Sequence, residues 1–197
     1  AYSISACYSM HPLKNLNVWG DGGFIVTNSK QFYEKLVLLR NHGLIDRNIC
    51  KIFTGNSRLD TLQAIVAIHL IKKINHITKK RIANANFFDA NLSPIPGIFI
   101  VPRSPKAKQV FHIYVIRCKK RDRLRKYLID HGIDAKIHYP IPMHLQPAAK
   151  EFGYKKGDFP NAELICKSVL SLPVHEFISK QQREYVVQKI KFFFTNR

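Results

Sequence analysis

The stretch that decides the fold is Tyr8-Ser9-Met10-His11-Pro12-Leu13-Lys14-Asn15-Leu16, which is followed after three residues by Gly20-Asp21-Gly22-Gly23 and the apolar run Phe24-Ile25-Val26. Short apolar runs flank it, and they predict strands over residues 4–8 and 24–27. The proline fixes its own φ and biases the residue before it toward extended backbone, whereas the glycines permit a tight turn. The pattern therefore predicts one lysine on a constrained loop between two strands.

The lysine of this loop, Lys14, is a candidate nucleophile. A lysine that forms a Schiff base must be held nearly still and partly shielded from water, so that its amine can be neutral and nucleophilic. A hydroxyl group, that of Ser9, stands five residues before it. The spacing by itself leaves a second interpretation open, in which Lys14 is a solvated surface charge as most lysines are.

Several further blocks follow in a fixed order, and together they make the chain resemble the DegT/DnrJ/EryC1/StrS family of sugar aminotransferases. After the lysine segment the blocks are Arg40-Asn41-His42-Gly43, Gly55-Asn56-Ser57-Arg58-Leu59-Asp60-Thr61-Leu62-Gln63-Ala64, His138-Tyr139-Pro140-Ile141-Pro142-Met143-His144 and Leu170-Ser171-Leu172-Pro173. The resemblance runs through essentially all 197 residues. Because members of that family are pyridoxal-phosphate enzymes, it implies pyridoxal 5'-phosphate as the cofactor.

The resemblance also implies the fold class. It is α/β, the C-terminal part of an aspartate-aminotransferase-like fold (the type I fold of pyridoxal-phosphate transferases), and comprises the end of the large domain plus the small domain. We expect residues 1–93 to belong to the cofactor-binding large domain with its long linking helix, and residues 94–197 to form the small domain. The family's lysine lies near the middle of a chain about twice as long. The aspartate that pairs with the pyridine nitrogen and the aromatic residue that stacks on the ring have no counterpart here, so we expect this chain to be a C-terminal portion.

Site residues carry over where the blocks match. Lys14 corresponds to the lysine that bonds the cofactor and moves protons, and Ser9 to a serine that binds the cofactor phosphate. Asn56 corresponds to an asparagine that reaches the partner subunit's cofactor phosphate, although an N-cap of the following helix is its alternative role. The resemblance places His138 and Tyr139 at the sugar substrate. Arg58 is a candidate substrate-binding cation or a plain first-turn residue.

The composition constrains the partners. The chain carries 32 lysines and arginines against 13 acidic residues, a net charge of +19. This excess is either a compositional bias or a means of attracting an anion, and a nucleotide-sugar diphosphate is such an anion. The basic residues are scattered and no nucleic-acid-binding module is recognisable, so no nucleic-acid partner is expected. The resemblance implies a homodimer with shared active sites.

Cysteine usage and hydropathy bear on metal sites and on location. The four cysteines are widely separated and form no Cys-x-x-Cys pair, which favours reduced thiols in a cytoplasmic protein. A zinc site at His138 and His144 lacks an evident third ligand, so no metal is expected. No apolar run is long enough for a membrane span.

Periodicity predicts the remaining elements. A helix over 30–40 is expected to begin at an Asn28-Ser29 cap and to end at His42-Gly43. Apolar residues at steps of three and four predict one long helix over 58–91, which ends at Ser93-Pro94-Ile95-Pro96-Gly97. Beyond it, strands are expected over 98–101, 110–118 and 134–138, with helices over 121–131, 161–169 and 180–194.

The family resemblance implies a pyridoxal-phosphate-dependent aminotransferase that moves an amino group from an amino acid, glutamate in most of the family, to a nucleotide-linked keto-sugar. The product would be an amino sugar for surface polysaccharide such as lipopolysaccharide O-antigen. The alternative is an inactive, truncated remnant that only dimerises or binds anions.

Overall fold

The computed structural model describes residues 3–195. Contacts divide the chain into two units that meet at His76 and Ile77, within the first turn of a helix. The predicted domain boundary at residues 93 and 94 stays a prediction.

The first unit begins with an antiparallel hairpin that carries the lysine loop. Strand β1 (Ser5–Ser9) pairs with β2 (Gly23–Thr27), and Ser9 lies opposite Gly23. Both strands are within one residue of their predicted ends. A Cβ on Gly23 would lie 2.8 Å from the Tyr8 carbonyl oxygen, closer than side-chain carbons approach backbone oxygens, so glycine is required for this pairing.

Helix α1 (Lys30–Leu39) follows, and it is capped as the sequence predicts. The Ser29 hydroxyl accepts a hydrogen bond from the Phe32 backbone N–H, which satisfies one of the donors that a helix N-terminus leaves unpaired. The helix ends before His42 and Gly43, which both adopt positive φ, 54° and 66°. The Gly43 N–H bonds back to the Leu38 carbonyl at 2.9 Å, so this end is closed by a left-handed turn.

The predicted long helix is interrupted. Helix α2 (Thr61–Ile71) ends at Lys72, and α3 (Ile74–Leu92) begins two residues later. The Lys73 N–H donates to the Leu70 carbonyl, three residues back, so a single turn of the tighter 3₁₀ type separates the two helices. Neither glycine nor proline marks this point, which is why periodicity alone predicts one continuous helix.

A three-stranded antiparallel sheet forms the centre of the second unit. Its strands are β3 (Ile98–Ile100), β4 (Tyr114–Cys118) and β5 (Val169–Leu172), in the order β3-β4-β5. Alternate residues of β4 point into a core shared with α3, α4 (Arg121–Asp130) and α6 (Lys180–Thr195). The largest fully buried side chains of this core are Tyr114, Phe88, Phe193, Leu92, Ile116, Leu124, Leu128, Leu170 and Ile190. Burial of each contributes about 1.5–3 kcal/mol relative to an exposed position, which makes this unit the better-packed part of the chain.

Two predicted elements differ in the second unit, and a third is shifted by one residue. Residues 134–138 form no strand, since only Lys136 pairs, as an isolated bridge with Ser171. Pro140 and Pro142 follow at once, and they lack the N–H groups that would extend a ladder. Helix α5 (Pro160–Ser168) ends before Val169, which starts β5 instead. The strand predicted over 110–118 begins only at Tyr114. The other predicted strand and helices of this unit are confirmed within one or two residues.

One ion pair and a side-chain hydrogen bond connect the segment after β5 to α3. The Arg81 guanidinium lies 3.1 Å from the Glu176 carboxylate, and their side chains are only 8% and 11% exposed. Arg81 also donates to the Phe111 and His112 carbonyls, and Asn84 donates to the His175 carbonyl at 2.8 Å. Among the helices of the described residues, none is long and apolar enough to cross a membrane.

Candidate active site

The loop that carries Lys14 is held at both ends and in its middle. The Met10 N–H donates to the Gly22 carbonyl at 2.7 Å, and the Val18 N–H donates to the Met10 carbonyl at 2.9 Å. Within the loop the Lys14 N–H donates to the His11 carbonyl at 2.8 Å. The backbone of Lys14 is therefore fixed by hydrogen bonds on a rigid hairpin.

Buried apolar side chains also pack against this loop. Met10 and Val18 are almost completely buried, at 2% and 1% exposure. A Cβ on Gly22 would lie 2.9 Å from the Leu59 side chain and 3.0 Å from that of Val18, so the chain can pass here only as glycine or with displacement of its neighbours. Lys14 is half-buried, which is the partial shielding from water that a nucleophilic lysine needs.

Polar side chains complete this support. The Asn17 side-chain amide donates to the Lys14 carbonyl at 3.0 Å, and the Gln63 side-chain oxygen of α2 accepts from the Trp19 N–H at 2.7 Å. Sequence analysis gave Gln63 no role. Its position as a polar residue among the apolar residues of α2 was the signal that could have indicated a hydrogen bond to another segment. The Ser9 hydroxyl, exposed at the end of β1, accepts from the His11 N–H at 3.3 Å.

Asn56 and Arg58 lie in a turn that joins two of the recognised blocks. The His42 N–H donates to the Gly55 carbonyl, and the Ser57 N–H donates to the Arg40 carbonyl, both at 3.0 Å. The Asn56 side-chain oxygen accepts from the Arg58 N–H at 3.1 Å, and the Arg58 guanidinium donates to the Asn41 side-chain oxygen at 2.7 Å. Asn41, to which sequence analysis gave no role, thus orients Arg58.

This turn corrects two of the alternatives, one for Asn56 and one for Arg58. The N-cap of α2 is Asp60, so neither Asn56 nor Ser57 caps that helix. Arg58 likewise precedes the helix and is no first-turn residue.

The Asn56 side chain keeps one donor available. Its amide oxygen accepts from the Arg58 N–H, whereas its NH₂ group has no hydrogen-bond partner in the described part of the chain. The exposed NH₂ is thus a hydrogen-bond donor available to a ligand.

His138 and Tyr139 lie in the second unit. The His138 Nδ1 is 2.8 Å from the Ser171 hydroxyl of β5, whereas the Tyr139 side chain is 70% exposed. Burial lowers the pKa of His138, and the nearby Lys136 lowers it further, against an opposing effect of Asp134. The imidazole of His138 is therefore biased toward its neutral form.

His144, considered above as a metal ligand, has a different partner. Its Nε2 lies 3.1 Å from the Glu163 carboxylate, and both side chains are nearly buried. The Gly157 N–H donates to the same carboxylate at 2.6 Å, which is the main cause of a lowered Glu163 pKa. No group of three or more histidine, cysteine or acidic residues among residues 3–195 is arranged to hold a metal ion. The Glu163 carboxylate of α5 is therefore shared by His144 and by the Gly157 backbone in the loop before that helix.

The donors of the first unit suit a phosphorylated aldehyde such as pyridoxal phosphate. Lys14 supplies an amine on a rigid, half-shielded loop. Ser9 supplies an exposed hydroxyl and Asn56 an exposed amide NH₂, both of which are neutral donors that phosphate oxygens accept.

Comparison with known proteins gives a consistent result. The family model described as "DegT/DnrJ/EryC1/StrS aminotransferase family" matches residues 1–191. The chain is 36% identical to the erythromycin biosynthesis sensory transduction protein EryC1 of Saccharopolyspora erythraea, over 97% of this chain and 52% of that protein. It is 35% identical to the dTDP-3-amino-3,4,6-trideoxy-alpha-D-glucose transaminase of Streptomyces venezuelae, over 97% of this chain and 50% of that protein.

A solved structure agrees in fold. Streptomyces venezuelae DesV, in complex with a ketimine intermediate, superposes with a TM-score of 0.94 at 34% identity, over 97% of this chain and 52% of DesV. The predicted fold class, the C-terminal part of a pyridoxal-phosphate aminotransferase fold, is thereby confirmed. The chain spans about half the length of the relatives it matches. It belongs to the DegT/DnrJ/EryC1/StrS aminotransferase family, whose members use pyridoxal phosphate.

Proposed function

We propose that the protein containing this chain is a pyridoxal-phosphate-dependent transaminase that transfers an amino group from glutamate to a nucleotide-linked keto-sugar. The observation that supports it most is the half-buried Lys14 on a loop held by backbone hydrogen bonds at Met10, Lys14 and Val18. Family membership over residues 1–191 and a relative named as a dTDP-sugar transaminase support the reaction class.

Each site residue has a role in this proposal. When bound, the cofactor supplies an electron sink for the bond broken at the carbon that carries nitrogen. Lys14 holds the cofactor and carries the proton to and from that carbon, a task that requires its amine to be neutral for part of the cycle. Ser9 donates to the cofactor phosphate, and Asn56 donates to the phosphate bound by the partner subunit.

Three residues are assigned to the substrate. Arg58, oriented by its 2.7 Å hydrogen bond to Asn41, offers a fixed cation to a carboxylate or diphosphate. His138 and Tyr139 offer hydrogen bonds to the sugar nucleotide. The positive charge of the chain, +19, favours the approach of such anionic substrates.

The setting proposed for this reaction is a cytoplasmic homodimer with shared active sites that serves surface-polysaccharide synthesis, including O-antigen. Reduced cysteines support the compartment, since Cys7, Cys50, Cys118 and Cys166 are all free.

Exposed apolar side chains support an interface on the first unit. On α2 these include Leu62, Ile65 and Ile68, which are 58–60% exposed. Such a row on one helix is typical of a surface that another chain or segment covers.

That same surface keeps the alternative open, namely a protein that only dimerises or binds anions. A half-reaction distinguishes the two. The full-length protein, loaded with pyridoxal phosphate and given glutamate alone, is expected to release 2-oxoglutarate in an amount equal to the bound cofactor. Addition of a nucleotide-linked keto-hexose should then yield the amino sugar, detected by mass spectrometry. Failure to release a keto acid from any amino acid tested would favour the non-catalytic alternative.

Mixing two variants of the full-length protein tests the proposed role of Asn56. Loss of one hydrogen bond to a charged phosphate costs about 1.5–3 kcal/mol, so Asn56→Ala should weaken cofactor retention about ten- to hundredfold. If Asn56 serves the partner subunit, a heterodimer of Lys14→Ala and Asn56→Ala chains has one doubly defective site and one intact site. Activity should therefore reappear on mixing at low cofactor concentration.

The opposite arrangement gives a different outcome. If Asn56 serves its own subunit, each heterodimer site carries one defect and mixing restores little activity. Asn28→Ala, a change of the same residue type away from the proposed site, is the matched control and should retain cofactor as the parent does.

A further inference from the structure

Ser171 binds the segment that carries His138 through three hydrogen bonds. The Ser171 N–H donates to the Lys136 carbonyl at 2.7 Å, and the Lys136 N–H donates to the Ser171 carbonyl at 3.1 Å. The third bond joins the Ser171 hydroxyl to the His138 Nδ1 at 2.8 Å. Because Ser171 is only 5% exposed and lies in β5, it holds the imidazole against the sheet of the second unit.

The direction of the third bond follows from the partners available to each group. A serine hydroxyl has one proton to donate, and a neutral imidazole carries its proton on one nitrogen only. If Nδ1 carried that proton, the buried Ser171 hydroxyl would have to place its own proton elsewhere. No other acceptor for it occurs among the hydrogen bonds of residues 3–195. A buried unsatisfied donor is costly, so the hydroxyl donates to Nδ1 and the ring proton resides on Nε2.

We propose that Ser171 is a positioning residue that fixes His138 as the Nε2–H tautomer, so that the neutral ring presents a hydrogen-bond donor to an oxygen of the nucleotide-linked sugar. This inference rests on the proposed function for its ligand, but the Ser171–His138 pairing stands on geometry alone. The lowered His138 pKa agrees with it, because tautomer identity matters only for a neutral ring.

The charges around His138 are consistent with the same state. Lys136 disfavours a second positive charge on the ring, and Asp134, which would favour one, forms an ion pair with Lys136 at 2.9 Å. Hydroxyl donation to Nδ1 also stabilises the neutral imidazole, because a protonated Nδ1 has no lone pair to accept it. Loss of the Ser171 hydroxyl should therefore raise the His138 pKa.

Nitrogen NMR of histidine-labelled full-length protein tests the pairing without any ligand. In the parent, with His138 assigned by its loss in His138→Gln, we expect the proton on Nε2 and an Nδ1 resonance shifted by an accepted hydrogen bond. Ser171→Ala should remove that shift and raise the His138 pKa, whereas Ser171→Thr, which keeps the hydroxyl, should preserve both. Ser168→Ala is the matched control, since the Ser168 hydroxyl bonds Arg117 and the Leu164 carbonyl instead.

A proton on Nδ1 in the parent, or His138 resonances unchanged in Ser171→Ala, would overturn the pairing.

Steady-state kinetics test the contact with the sugar separately. Ser171→Ala should raise KM for the keto-sugar about three- to tenfold, the effect of one neutral hydrogen bond, with kcat little changed. An unchanged KM in an active enzyme would overturn the contact with the sugar. A parent without transaminase activity would contradict the proposed function and leave the NMR result standing.

Discussion

Replacement of Lys14 by alanine or arginine in the full-length protein is expected to abolish transamination while the protein stays folded. Alanine removes both the amine that bonds the cofactor and the group that carries the proton. Loss of proton transfer alone should reduce kcat by about 10²–10⁴-fold. Arginine restores the positive charge but remains protonated, so it can neither bond the aldehyde nor act as a base. Both variants should therefore be inactive, and the measurement is the rate of 2-oxoglutarate release from glutamate.

The matched control is Lys30→Ala, which removes the same charge from an exposed position on α1. The Lys30 ammonium lies 3.9 Å from the Glu34 carboxylate in a solvent-exposed pair, and such pairs contribute little to stability. Circular dichroism should show the same fold in all three variants. Full activity in Lys14→Ala would contradict the assignment of Lys14, and equal losses in Lys30→Ala would show that charge alone explains the effect.

Replacement of Gly43 by alanine is expected to disrupt the first unit. Gly43 has a φ of 66°, and a Cβ built on it would lie 1.6 Å from the Ile52 carbonyl oxygen and 2.9 Å from the Ile52 side chain. The first distance is close to a covalent bond length, so the turn that closes α1 must open. Adding the strain of a left-handed conformation to this overlap, we expect a loss of more than about 4 kcal/mol in the free energy of unfolding.

Gly55→Ala provides the control, because its added Cβ has no heavy atom within 4 Å beyond Gly55 and its two chain neighbours, and its φ is not positive. It should unfold in denaturant near the parent's midpoint, whereas Gly43→Ala should unfold well below it or fail to fold. Since Gly43 lies two residues after Asn41 in the same turn, we also expect Gly43→Ala to release the Arg58 guanidinium from its hydrogen bond to Asn41. Equal midpoints for the two variants would contradict the close contact at Ile52.

Local signals in the sequence predicted much of the fold. The hairpin around Lys14 and the capped helix α1 depend on neighbouring residues: short apolar runs, the Ser29 cap, and the His42-Gly43 turn. Where the outcome depended on distant partners, prediction failed. Residues 134–138 pair with β5 only at the isolated bridge between Lys136 and Ser171, which is too little to form a strand. No glycine or proline in the sequence signals the break between α2 and α3.

The candidate site divides in the same way. The residue types at positions 9, 14, 56, 58, 138 and 139 were identified from blocks that the chain shares with its family, and their roles remain predictions. Their supports were not predictable, because they come from elsewhere in the chain. Gln63 anchors the lysine loop through the Trp19 N–H, Asn41 holds Arg58, and Ser171 holds His138. Each of these three residues lies in a recognised block, but only the three-dimensional pairing gives it a role.

The most direct test of the central claim, that Lys14 holds the cofactor, is borohydride reduction of the full-length protein loaded with pyridoxal phosphate, followed by peptide mass spectrometry. Reduction makes a lysine–cofactor bond permanent, so the modified peptide identifies the lysine. We predict a single modified peptide, the one containing Lys14, and no cofactor-modified peptide from Lys14→Ala. Attachment at another lysine in the parent, or none at all with the cofactor bound, would contradict the claim.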